Sequence, residues 1–78
     1  MDGLLAEKWL QAVRSPGREV RLRFRNGEEL RGWLTNFPLG PPENWTSDQK
    51  VYVANSPKSA AKPGEPRLVG QIVDIEIL

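Results

Sequence analysis

Glu28-Glu29 is the one run of neighbouring carboxylates in the central part of the chain, the arrangement from which general acid-base chemistry is built, and Ser15, Ser47, Ser56 and Ser59 are the hydroxyls open to nucleophilic use. Neither set finds the partner it needs. The chain has no histidine and no cysteine, which removes imidazole bases, thiolate nucleophiles and Cys or His metal sites together. Adjacent residues on a hairpin face opposite sides or lie in its turn, and Arg25 across the hairpin offers Glu29 a plain ion pair. No glycine-rich phosphate loop is present. These residues predict a protein that binds rather than catalyses, with no cofactor.

The residue types suited to binding are arginine and tryptophan. Between Arg14 and Arg31 there are six arginines against three glutamates, although the formal charge of the whole chain is only +1. Arg21, Arg23, Arg31 and Trp33 fall on one face of a hairpin. In one reading they form a platform on which a base stacks while guanidinium groups hold phosphate. In the other, Trp33 packs under a helix or against Tyr52 and the arginines are solvated strand charges that blunt an edge. Trp45, alone in a proline-rich loop, poses the same choice between a lid on a small core and a side chain offered to a partner.

The hairpin that positions the first group runs from Glu19 to Phe37. Val20, Leu22 and Phe24 alternate with Arg21, Arg23 and Arg25, the period-2 pattern of a strand with one dry face. Asn26-Gly27 turns the chain, and Leu30, Gly32 and Leu34 repeat the period on the return. Parity favours a three-residue loop, Asn26 to Glu28, with Gly27 at positive φ. That register pairs Phe24 with Leu30, Leu22 with Gly32 and Val20 with Leu34 inside, and Arg25 with Glu29, Arg23 with Arg31 and Arg21 with Trp33 outside. Gly32 in mid-strand predicts a sharp bend.

Before the hairpin, Leu5, Trp9, Ala12 and Val13 recur at i, i+4, i+7 and i+8, predicting an amphipathic helix over 3–14 that Asp2 caps and Pro16-Gly17 stops. Trp9 is its expected anchor in the core. After the hairpin, Pro38, Gly40, Pro41 and Pro42 forbid regular pairing, so 38–49 reads as a loop. Lys50 to Val53 is a third strand with Val51 and Val53 inward. A second polar segment, 55–66, carries three prolines and two lysines and reads as a mobile linker. Arg67-Leu68-Val69 and Ile72 to Leu78 close the chain, with Val73, Ile75 and Ile77 expected on the dry face.

Seventy-eight residues suffice for one domain, 1–78, comprising the helix and a barrel over 19–78. At this size folding removes only about 60% of the unfolded chain's surface from water, so self-association would help. One helix followed by about five short strands is too little for two packed sheets. The expected fold is therefore mainly β, a small bent-sheet barrel with the helix over an open end. No apolar run reaches the roughly 20 residues of a membrane span and no signal-peptide core follows Met1, so a cytoplasmic location without membrane contact is expected.

At this point the chain resembles the Sm-like (Lsm) proteins, small SH3-type barrels with an N-terminal helix and five bent strands. The first Sm motif corresponds to Val20, Leu22, Phe24, Asn26-Gly27, Leu30, Gly32 and Leu34, and the second to Leu68-Val69-Gly70-Gln71 followed by Ile72 to Ile77. The resemblance covers the first hairpin and the last strands, and leaves the helix and both loops outside. It implies that the fourth strand of one copy pairs with the fifth of the next, so Leu68, Val69, Val73, Ile75 and Ile77 are the expected self-association edge of a homo-oligomer or ring. It also implies a single-stranded RNA site near Asn44 and Gly70. The position of the family's phosphate-holding arginine is occupied by Val69, which has no charge to offer. A helix, a strand ending in Asn-Gly and then Gly-Trp is also similar to a bacterial family with an SH3-like tail domain. The expected function is a self-assembling interaction module with protein partners. The alternatives are a nucleic-acid binder using Arg21, Arg23, Arg31 and Trp33, or a nucleotide binder between subunits with Trp45 as the stacking partner.

Overall fold

A computed structural model describes residues 1–56 and 64–78. The greater part of the expected linker, 57–63, lies outside the described residues. Helix α1 spans Gly3–Val13, and the Asp2 carboxylate accepts from the Leu4 N–H at 3.0 Å to cap it. Its buried stripe is Ala6, Trp9 and Ala12, with Leu5 and Val13 half-buried beside it. Because an isolated helix of this length is marginal in water, that stripe must be covered. It lies against the last strand and against a short 3-10 turn at Pro42–Asn44.

The strands are β1 Val20–Phe24, β2 Glu29–Asn36, β3 Lys50–Ala54, β4 Glu65–Leu68 and β5 Ile72–Ile77. They form one antiparallel sheet in the order β4-β3-β2-β1-β5. The protein is thus mainly β, a single bent five-stranded sheet with one N-terminal helix. Among the described residues no ladder joins β4 to β5, so the sheet is not closed by strand pairing. Backbone bonds carry the existing pairing past the strands: Arg25 N–H donates to Gln71 O at 2.8 Å beyond the β1–β5 ladder and Val69 N–H to Gln49 O at 2.9 Å beyond the β3–β4 ladder, while Gly70 N–H donates to Ser47 O at 3.0 Å and ties the β4–β5 turn to the β2–β3 loop.

The hairpin has the expected loop length one residue earlier than expected. Val20 pairs with Gly32, Arg21 with Arg31, Leu22 with Leu30 and Arg23 with Glu29. Gly27 N–H donates to Phe24 O and Phe24 N–H to Glu28 O, so the loop is Arg25-Asn26-Gly27 rather than Asn26 to Glu28. The reason is backbone geometry. A three-residue hairpin loop puts its left-handed residue last, and Gly27, at φ 90°, is that residue. Parity is preserved, so the inner face keeps Val20, Leu22 and Phe24, but every cross-strand partner moves by two.

β2 turns a corner at Gly32. Residues up to Gly32 pair with β1 and residues from Trp33 onward pair with β3. A Cβ at Gly32 would collide with the Ala54 carbonyl oxygen and sit 2.6 Å from Val53 Cγ1, so the bend requires glycine for close approach. A second irregularity lies in β5. Arg23 pairs with Asp74 and Phe24 with Ile72, leaving Val73 as the extra residue of a bulge. Ile72 and Ile75 are therefore buried while Val73 is 42% exposed. This corrects the strict alternation that placed Val73 on the dry face.

The core gathers Trp9, Val20, Leu22, Val51, Val53, Ile72 and Ile75, with Val69 and Trp45 at its open end. Leu5, Phe24, Leu30, Leu34 and Ile77 pack around it half-buried. Among the described residues no helix is long and apolar enough to cross a membrane.

Candidate interaction surfaces

On the outer face of the hairpin, Arg21 and Arg31 stand opposite each other and Arg23 stands opposite Glu29. Each of these arginines holds a carboxylate. Arg21 Nη2 meets Glu76 Oε2 at 2.5 Å, Arg23 Nη2 meets Glu29 Oε1 at 3.3 Å and Arg31 Nη2 meets Glu19 Oε1 at 3.0 Å. The expected Arg25–Glu29 pair is replaced by Arg23–Glu29, a direct result of the shifted register. Exposed pairs of this kind contribute about 0–1 kcal/mol each. Their larger effect is on charge, because the face is close to balanced rather than strongly positive. Trp33 is half-buried and sits across from Ala54 of β3. The ring contacts among the described residues are Trp9 with Trp45 and Phe37 with Trp45.

Trp45 resolves in favour of the lid. It is 5% exposed, its ring stands edge-on to Trp9 with centroids 5.2 Å apart, and its Nε1–H donates to Gly40 O at 3.2 Å. Phe37 covers it from outside at 6.3 Å. The loop that delivers it is shaped by its own residues. Gly40 takes φ 85°, Pro41 is extended, and Pro42 opens the 3-10 turn where its missing N–H is harmless. Leu39, at the tip, is 96% exposed.

Asn44 ends the 3-10 turn and its side chain is exposed, while its N–H donates to Pro41 O at 2.9 Å. Gly70 meets Ser47, to whose carbonyl its N–H donates at 3.0 Å. A Cβ on Gly70 would lie 2.5 Å from the Ser47 Cβ, so this glycine is where the β4–β5 turn presses on the end of the β2–β3 loop. Val69, 5% exposed and bonded back to Gln49, belongs to the core and not to an edge.

The sheet ends follow from ladder alternation. Leu78 N–H donates to Glu19 O at 2.9 Å. The hydrogen-bonded pairs along β5 are then Arg21 with Glu76 and Arg23 with Asp74, which turns the backbone groups of Ile75 and Ile77 away from β1. On β4, the Val69–Gln49 bond sets the alternation that turns Pro66 and Leu68 outward. β4 begins at Glu65, two residues before the expected start at Arg67, and so includes Pro66. Proline is tolerated there because no ladder donor to β3 is lost.

Across the β5 end, Lys8 of α1 reaches Asp74 at 2.8 Å. The ammonium group holds the Asp74 carboxyl below the ordinary range against partial desolvation, and the Ile75 N–H adds to the effect. Asp48 is likewise lowered, by the Thr46 hydroxyl at 2.6 Å and its own backbone N–H.

Sequence reasoning missed Arg25. Its backbone extends the β1–β5 pairing by one residue, its Nη2 donates to Gly70 O at 3.0 Å, and it borders two surface hollows of about 420 and 370 Å³. The only signal in the chain was its position at the start of the turn, which gave it the role of a simple partner for Glu29. Comparison of the chain with protein-family models, curated proteins and solved structures finds no match, so its function is read from this fold and these surfaces.

Proposed function

We propose that this protein is a non-catalytic, cytoplasmic interaction module of the Sm-like type that assembles with copies of itself and serves a larger complex. The observation that carries the reading is the pair of open sheet ends. β4 and β5 are the terminal strands of the order β4-β3-β2-β1-β5, and both turn backbone hydrogen-bonding groups outward. Unpaired strand ends are templates for further pairing, and one β4 against the β5 of another copy is a heterologous contact that closes into a ring or propagates. The N-terminal helix, the bend at Gly32 and the short 3-10 turn Val69–Gln71 between the last strands support the likeness to Sm-like barrels. Leu68, Ile75 and Ile77 carry the proposed contact, with Val73 at its margin.

The RNA reading draws less support, because Arg21, Arg23 and Arg31 already hold carboxylates and Val69 is buried. A nucleotide stacked on Trp45 would require the lid to leave the core. The deciding experiment is the native mass in solution by light scattering on a sizing column. A fixed multiple of 8.8 kDa supports assembly, and a concentration-independent monomer overturns it.

A further inference from the structure

Between the β1–β2 turn and β4 lies a hollow of about 420 Å³, lined by Phe24, Arg25, Asn26, Glu28, Arg67 and Gln71. Its volume is within the usual range of small-ligand sites. We propose that it binds a small organic monocarboxylate with a flat apolar body, a ligand that goes beyond the assembly reading above.

Three features set this chemistry. Arg25 differs from Arg21, Arg23 and Arg31 in that its hydrogen bond runs to a neutral group, the Gly70 carbonyl, at 3.0 Å. That bond fixes the side chain and leaves the guanidinium charge and most of its five N–H donors for an anion. Arg67 stands on the other wall, its Nη1 on the Pro66 carbonyl and its Nη2 on Glu65, whose side chain is mostly exposed. Glu65 offsets part of the Arg67 charge, so Arg25 is the principal holder of the anion and Arg67 adds a second donor beside it. Phe24 provides the apolar wall: it packs against the core from one side and borders the hollow from the other.

The remaining residues narrow the class. Asn26 Oδ1 accepts from the Glu28 N–H at 3.0 Å, so the amide donors of Asn26 are free to serve a carboxylate oxygen. Glu28 brings a negative charge to the rim. With Glu28 on the rim and Glu65 on Arg67, the two arginines face two carboxylates and the surroundings are close to neutral, so a monoanion can be accommodated while a phosphate monoester, at about −1.5 to −2 at neutral pH, brings excess negative charge. The site thus selects a carboxylate over a phosphate and an aromatic or similarly flat body over a bare ion.

The test uses the full chain labelled with nitrogen-15 and titrated with sodium benzoate at constant ionic strength, with phenyl phosphate and inorganic phosphate as comparators. Benzoate is expected to shift the Asn26 and Gln71 amides and to saturate in the millimolar range, while both phosphates bind more weakly. Arg25→Gln weakens benzoate about ten-fold, since a charge-assisted bond is replaced by a neutral one. Arg31→Gln, whose guanidinium serves Glu19, leaves the affinity unchanged. Arg67→Gln gives the same reading as Arg25→Gln if the latter loses its fold along with the Gly70 bond. No saturable shift, an affinity in the Arg25 and Arg67 variants equal to the parent's, or phosphate binding as tight as benzoate overturns the proposal.

Discussion

The indole of Trp45 stands edge-on to the indole of Trp9 at a centroid distance of 5.2 Å, and this contact, with the buried Pro42, makes a loop of prolines part of the core. Trp9 comes from the helix, is fully buried and touches the sheet, so helix, sheet and loop share one packing centre. An edge-to-face aromatic pair adds about 0.5–1.5 kcal/mol beyond the area it buries. Trp45→Ala is expected to cost about 3–5 kcal/mol in urea unfolding, the usual range for removing a buried tryptophan. Trp45→Phe should retain part of that. A loss below 1 kcal/mol in the alanine variant, within the range of ordinary surface changes, would show that the loop does not close the core.

The corner at Gly32 should be equally intolerant, for a different reason. A Cβ there meets the Ala54 carbonyl oxygen, a backbone atom that cannot rotate away, and Val53 Cγ1. Gly32→Ala is expected to destabilise by about 1–3 kcal/mol, as other overpacked positions do. Gly3→Ala, where a Cβ meets nothing within 4 Å, should be neutral or slightly stabilising because alanine favours the helix. Comparing the two midpoints by thermal or denaturant unfolding separates close approach from a general dislike of replacing glycine.

The contribution of Lys8 to Asp74 should depend on pH with a definite sign. Asp74 titrates below its ordinary value in the folded chain, chiefly because of the Lys8 ammonium at 2.8 Å. Its stabilising effect is therefore fully present above the unfolded-state pKa of about 3.9 and is lost as pH falls through the lower folded value. Both side chains are partly exposed, so the effect is about 0.2–1 kcal/mol. Lys8→Met should be less stable than the parent by that amount at neutral pH, and the two should converge as the medium becomes strongly acidic. A difference that persists unchanged in acid would assign the loss to packing instead.

The helix, the inner faces of β1 and β3 and the positive φ of Gly27 were all legible in the sequence, because each rests on local periodicity or on one residue's backbone preference. The bulge at Val73 was not legible. An alternation of apolar and acidic residues is compatible with Val73 inward or outward, and the pairing of Phe24 with Ile72 decides it from far along the chain. The state of the arginine face was hidden for the same reason. Glu76, the partner of Arg21, lies 55 residues away, and residue type alone cannot tell a free guanidinium from a neutralised one. Trp45 was ambiguous because a lid and an exposed anchor call for the same side chain, and only the packing of Trp9 beneath it separates them.

Pro66 offers the most direct probe of the proposed assembly. Ladder alternation turns its backbone outward at the end of the sheet, where it has a carbonyl but no N–H, while Leu68 presents both. A second strand laid along β4 therefore lacks one of the donors it would otherwise find. Pro66→Thr restores that donor at an outward position without touching the bonds to β3, so the fold should be kept and edge pairing strengthened. If copies assemble through β4 and β5, light scattering of the threonine variant should show the assembled mass persisting to lower protein concentration than in the parent. Ile77→Pro, which deletes an outward donor on β5, should shift the balance the other way. Opposed shifts in the two variants would tie self-association to these two strands. Unchanged masses in both would mean that the open ends of this sheet do not pair with one another.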